Sequence, residues 1–180
     1  FLNSIAVSFI INSLLWIYFL VSSHTLVTEE MFTEFNSDLK VMPPLRSEKT
    51  RQTLIDGIID GTIDAISSDH TPINIEGKKC EFEKAKFGII GLETVFPIIN
   101  TVLKDKIELS RIIDLISRNP RNILGLKTPK VEENEYANMT LFNPTEKWTY
   151  QKSDIASLSK NTPFIGSDFI GRPIGVINNG

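Results

Sequence analysis

The sequence predicts an α/β fold that passes into a β region after Pro129. Three observations predict it. The first is an amphipathic helical stretch, Glu48–Ile59, followed within a few residues by a short apolar strand pattern, Ile63–Ser67. Helix followed by buried strand is the repeat unit of α/β folds. The second is a pair of further helical patterns downstream of that strand. The third is a change of character after Pro129, where alternating and aromatic runs separated by Asn-Pro and Gly turns read as strands.

Each element has its own signal. Leu39-Lys40-Val41-Met42 runs into Pro43-Pro44, which continues neither a helix nor a strand easily. Ser47 is placed to cap a helix over Glu48–Ile59, with Leu54, Ile55, Ile58 and Ile59 as its apolar stripe and Asp60-Gly61 as its end. Ile63–Ser67 is the strand, and Asp69-His70-Thr71-Pro72 follows at its C-terminal end. Ile73–Lys86 is polar, mixed in charge and aperiodic, a long loop of the kind that serves as a lid. Gly91–Lys104 is helical, with Leu92, Val95, Phe96, Ile99 and Leu103 on one side and a kink expected at Pro97. A second helix starts near Ser110, and Asn119-Pro120 restarts a short one that ends at Gly125. Strands are expected at Met139–Phe142, Trp148–Tyr150 and Phe169–Ile177.

The first 28 residues hold no charged side chain, and Phe1–Val21 is long and apolar enough to span a bilayer. Three readings stand side by side: a membrane-spanning or signal segment, a buried helix and strand of a larger domain, or a stretch altered by truncation or a shifted reading frame. No Lys or Arg flanks the start of the run to orient it in a membrane.

The composition excludes several classes of function. The chain has 180 residues, a domain of ordinary size, and 41% hydrophobic residues, normal for a buried core. The net charge of −3, with Lys and Arg scattered among Asp and Glu, gives nucleic-acid binding no electrostatic support. The single Cys80 rules out an internal disulfide and any multi-cysteine metal site, and fits a reducing cytoplasm. No glycine-rich phosphate loop, Cys/His cluster or nucleophile elbow is present.

Asp69 is the residue best placed for chemistry. A carboxylate just past the end of a buried strand sits where α/β folds keep their active sites, and it could bind a metal, act as a general base, or both. The competing reading is an aspartate that caps its own loop. His70 is adjacent, but neighbouring side chains point apart. His24, the other histidine, reads as a packing residue at a strand end, since two ligands are too few for zinc. Glu29-Glu30 and the charges of Glu76–Lys86 read as solvated surface.

Five stretches in order then carry a resemblance. They are Val41–Arg46 (VMPPLR), Asp60–Pro72 (DGTIDAISSDHTP), Phe87–Thr94 (FGIIGLET), Asn119–Leu126 (NPRNILGL) and Ser159–Gly166 (SKNTPFIG). Together they resemble the C-terminal part of the dihydroorotases, cyclic amidohydrolases, over most of the chain from Val41 onward. Val21–Glu30 (VSSHTLVTEE) resembles the family's seventh strand more loosely. The resemblance implies a partial (β/α)8 barrel of the amidohydrolase type: an apolar segment of uncertain status at 1–20, barrel strands seven and eight with their helices at 21–128, and a C-terminal β region at 129–180.

It also implies a two-zinc site, with Asp69 as metal ligand and proton shuttle and with Phe87 and Gly88 lining the dihydroorotate pocket. The implied reaction is the reversible hydrolysis of dihydroorotate to N-carbamoyl-aspartate in pyrimidine biosynthesis. Aspartate carbamoyltransferase is an implied partner, and neither a membrane nor a nucleic acid is. Two positions depart from the family pattern. Met42 stands where an Asn is common and Ile73 where a His is common, both substrate contacts. Losing either polar contact costs about 1–3 kcal/mol. Those departures leave open a non-catalytic homologue that scaffolds the carbamoyltransferase, and an allantoinase or hydantoinase remains a further alternative. The other family metal ligands belong to earlier strands, so this chain alone is expected to be inactive.

Overall fold

The structure is a computed structural model and describes residues 8–11, 17–27 and 35–178. Strand β1 (Ser8–Ile11) pairs antiparallel with β2 (Ile17–Ser22), and β2 pairs parallel with β3 (Ala65–Ser67), Leu20 opposite Ala65 and Ser22 opposite Ser67. The described parts of the first 20 residues are therefore strands. Among the described residues no helix is long and apolar enough to cross a membrane, and the rest of that segment lies outside them. The strand form follows from Ile17-Tyr18-Phe19-Leu20-Val21, a β-branched and aromatic run that finds a parallel neighbour. The boundary expected at residue 20 falls inside β2.

The connection from β2 to β3 contains α1 (Glu48–Ile59), which makes the parallel pairing possible. Ser47 stands at the N-cap position but its hydroxyl bonds Thr50 Oγ1 at 3.3 Å instead of a backbone amide. Leu54, Ile55 and Ile58 are buried as the periodicity requires; Ile59, expected on the same stripe, is exposed in the last turn. Gly61, at φ +87°, reverses the chain where a side chain would be strained. Asp64 then fastens β3 to β2: its carboxylate accepts from Phe19 N at 2.8 Å and its own amide donates to Phe19 O at 2.9 Å.

α2 (Val95–Leu103) starts four residues later than expected, so Leu92 precedes it and is exposed. Pro97 lies in the first turn, where amides have no intrahelical acceptor, and for that reason the expected kink has no cause. α3 (Leu109–Ile113) runs without a break through a wide turn at Asp114–Arg118 into α4 (Asn119–Ile123). A short helix does start at Asn119-Pro120, as expected, and the wide turn just before it absorbs the missing amide and the ring.

β4 (Asn138–Thr149) and β5 (Asp168–Asn178) form an antiparallel ribbon. The two strands expected at Met139–Phe142 and Trp148–Tyr150 are one, because register shifts at Leu141/Phe142 and between Asn143 and Lys147 accommodate Pro144. The ribbon rests on α2. Asn100 Nδ2 donates to Pro144 O at 2.9 Å and Ile170 O at 2.8 Å. Gly171, at φ +98°, lets the strand come so close that a Cβ there would lie 2.7 Å from Asn100 Nδ2. Tyr150, Phe164 and Phe169 from this region join the same apolar core as Leu26, Ile55 and Leu115.

Candidate functional site

Strand β3 delivers the site. It ends at Ser67, and two residues later Asp69 takes up a left-handed backbone conformation, φ +48°. That turn costs a non-glycine residue free energy, and such strain collects at functional positions. The Asp69 side chain is 36% exposed. Among the described residues its carboxylate faces one partner: Oδ2 lies 3.9 Å from His24 Nδ1.

His24 comes from the turn Ser23–Leu26 at the end of β2, and the parallel pairing of β2 with β3 brings the two strand exits together. Its ring is 1% exposed. Nε2 lies 2.8 Å from Pro43 O and donates to it, which leaves Nδ1 as the lone-pair nitrogen, buried and without a hydrogen-bond partner. Burial pushes the imidazole below its ordinary value, against smaller upward pulls from the Pro43 carbonyl and Asp69. His24 does pack at a strand end, as expected, but it also borders Asp69. The sequence shows both residues and not the parallel register that joins them.

His70 turns away from Asp69. Its Nδ1 accepts from the amides of Gly91 at 3.1 Å and Leu92 at 3.3 Å, so it holds the approach to α2. The returning segment Phe87–Gly91 runs along the exit of β3. Thr71 N donates to Ile89 O at 2.7 Å, and His70 bridges Ile89. Gly88, at φ +127°, sits against Thr71, where a Cβ would lie 2.5 Å from the Thr71 methyl. Gly88 is buried and Phe87 is 48% exposed. Phe87 lines a cleft of about 540 Å³ with Leu39, Lys40, Val41, Pro44, Leu45 and Phe82. Lys40 lies over its ring at 4.9 Å. Met42 is 57% exposed and Ile73 half-buried.

Two residues of this neighbourhood escaped the sequence. Lys78 belongs to the run Glu76–Lys86, expected to be solvated surface, yet it is 4% exposed. Its ammonium donates to Ser37 O at 2.8 Å and Lys40 O at 3.2 Å, which is what makes the burial tolerable. Asn161, 6% exposed, reaches from the C-terminal region into the loop that follows Asp69. It lies in the motif Ser159–Gly166 that carries part of the resemblance, but nothing in that motif pointed to a contact with this loop. The Glu29-Glu30 pair lies outside the described residues.

As a metal donor Asp69 has the right chemistry and an open face. Among the described residues, however, no group of three or more His, Cys, Asp or Glu side chains gathers around a common point. Zinc takes three or four protein ligands, so these residues fit one part of a metal site and not the whole.

No protein-family model matches the chain. Comparison with individual proteins is more informative. The L-hydantoinase (dihydropyrimidinase) from Arthrobacter aurescens superposes with a TM-score of 0.77 at 25% identity, covering 88% of this chain and 37% of that one. A dihydropyrimidinase from Brevibacillus agri gives 0.75 at 23%, covering 91% and 38%. The fold is thus that of the cyclic amidohydrolases, to which the chain belongs. More narrowly, its sequence relatives are the dihydroorotases: that of Chlorobaculum tepidum is 43% identical over 164 residues, 85% of this chain and 37% of that protein. The dihydroorotase of Elusimicrobium minutum is 41% identical over 150 residues, 82% of this chain and 35% of that protein. The chain spans little more than a third of the length of these relatives. Among the described residues its three-stranded and two-stranded sheets do not close a barrel.

Proposed function

We propose that this chain is part of a longer protein that hydrolyses the amide C–N bond of dihydroorotate, giving N-carbamoyl-aspartate for pyrimidine synthesis. The observation that carries the reading is Asp69: a strained, half-open carboxylate at the exit of a buried parallel strand. Asp69 would hold one metal, zinc being the expected ion, with the other ligands supplied from outside the described residues. A metal bound there would supply Lewis-acid polarisation of the amide carbonyl and a more acidic water. Asp69 takes the proton of the attacking water as the new C–O bond forms and passes it to the ring nitrogen as the C–N bond breaks. Phe87 and Gly88 form the substrate side, Gly88 because its bare Cα leaves room for the chain to pass Thr71.

The test is Asp69→Asn in the full-length protein. Asn fills the same space and caps loops about as well. It lacks the charge and the basic oxygen, so turnover is expected to fall at least about 10²-fold, the low end for general acid–base participation. A variant that keeps more than about a tenth of the activity assigns Asp69 a capping role instead.

One observation favours a second reading. Met42 and Ile73 offer apolar groups where dihydroorotases commonly present Asn and His. A homologue that scaffolds aspartate carbamoyltransferase tolerates that loss, and a hydantoinase-like enzyme with another ring substrate also does. An inactive full-length protein that gains dihydroorotase activity from Met42→Asn with Ile73→His supports an enzyme decayed at those two positions. No recovery together with binding to the carbamoyltransferase supports the scaffold, and turnover of a hydantoin supports the other ring.

A further inference from the structure

We propose that Asn161 is the positioning residue for the substrate side of this site, clamping both ends of the loop that follows Asp69. The inference rests on the function proposed above. Its geometry is self-contained. The side-chain oxygen accepts the amide of Ile73 at 3.2 Å, where the loop leaves the strand exit. The side-chain nitrogen uses its two protons on two carbonyls, Thr71 O at 3.4 Å and Gly88 O at 3.2 Å, one at each end of the loop. The backbone carbonyl of Asn161 accepts the amide of Ile90 at 3.0 Å, on the returning segment. All three contacts of the carboxamide span more than seventy residues of sequence, so nothing local holds the side chain there.

The chemistry of the carboxamide is specific to the task. It needs one acceptor and two donors in a plane, which Asn supplies and neither Asp nor Ala does. The site is 6% exposed, so water is poorly placed to replace the lost partners. The clamp lies downstream of Asp69, on Thr71, Ile73 and Gly88. Asn161 therefore acts on Ile73, Phe87 and Gly88, the residues proposed to face the substrate, and leaves the metal ligand to β3. Lys78 and Gly88 fasten the loop to Ser37 and Lys40, and the carboxamide adds side-chain ties at the loop's ends to the backbone bond from Thr71 N to Ile89 O.

The experiment uses the full-length protein with Asn161→Ala and Asn161→Asp, read by hydrogen exchange and by steady-state kinetics on dihydroorotate. Expected is faster exchange confined to 71–90, unchanged bound metal, and a KM raised about tenfold with kcat changed less. Asp, which keeps the acceptor for Ile73 and loses both donors, should fall between wild type and Ala in exchange at Ile73 and match Ala in KM. Unchanged loop exchange in both variants overturns the proposal, as does a loss in kcat alone. Global unfolding of both variants also overturns it, since Asn161 then holds the fold and not the loop. If the wild type turns over no cyclic amide, the proposed function fails while the exchange data still decide whether the clamp exists.

Discussion

Asp69 and Lys78 show what single positions cost and what they gain. A left-handed backbone at a non-glycine residue costs on the order of 1–3 kcal/mol, and Asp69 holds it because the bridge between His70 and Ile89 fixes the next residue. Lys78 has a charge buried against two carbonyls. Burial depresses its amine below the ordinary lysine value, Asp38 opposes that shift and Lys40 adds to it. Between the depressed folded value and the ~10.4 of a solvated lysine, the unfolded chain keeps a proton that the folded chain has released. Stability therefore rises with pH across that window, and the gain is lost as pH falls through the folded value. Wild type should gain stability relative to Lys78→Met as the pH is raised from 7 toward 10. Urea midpoints of the two proteins at several pH values check this, and a difference that ignores pH refutes it.

Among the elements, the decisive contact is the β4–β5 ribbon against α2. Asn100, on the buried face of α2, bonds a carbonyl of each strand, and Gly171 makes room for it. Replacing Asn100 with Ala takes its donor from the half-buried Pro144 carbonyl and leaves Ile170 O with Thr101 Oγ1 at 3.4 Å, a cost of about 1–3 kcal/mol. Substituting Gly171 with Ala should hurt as well, since the new methyl group meets Asn100 and Phe96 on a backbone already at φ +98°. Because the two changes attack one contact, the double variant should lose less than the sum of the two losses. Denaturation of the single and double variants tests that coupling; full additivity would mean that the ribbon and helix are held by something else.

Over the whole molecule, the sheet β1–β2–β3 ends at β3, which among the described residues pairs on one side only. A strand edge of that kind seeks another strand. The chain also gathers no third metal donor at Asp69 among those residues. Expressed as these 180 residues alone, it should self-associate on size exclusion and carry fewer than two tightly bound zinc ions per chain. A monodisperse monomer with two zincs by metal analysis would contradict both expectations. Supplying the missing part of a relative's length, in the longer protein proposed above, should restore both the strand partner and the metal.

By itself the sequence determined the local events. The helix Glu48–Ile59, its stop at Gly61, the strand before Asp69 and the β character after Pro129 follow from periodicity, glycine and proline, which act over a few residues. The family was legible because five short motifs recur in order, and Asp69 was legible as a candidate because α/β folds keep their active sites at strand ends. The tertiary structure alone decided what depends on chain segments meeting. Parallel pairing of β2 with β3 set His24 beside Asp69. The placement of Pro97 in a first turn that needs no amide removed a kink. Lys78 and Asn161 became buried because distant carbonyls receive their protons. A polar side chain looks solvated in sequence, since its type says that it needs partners and not whether water or the protein provides them.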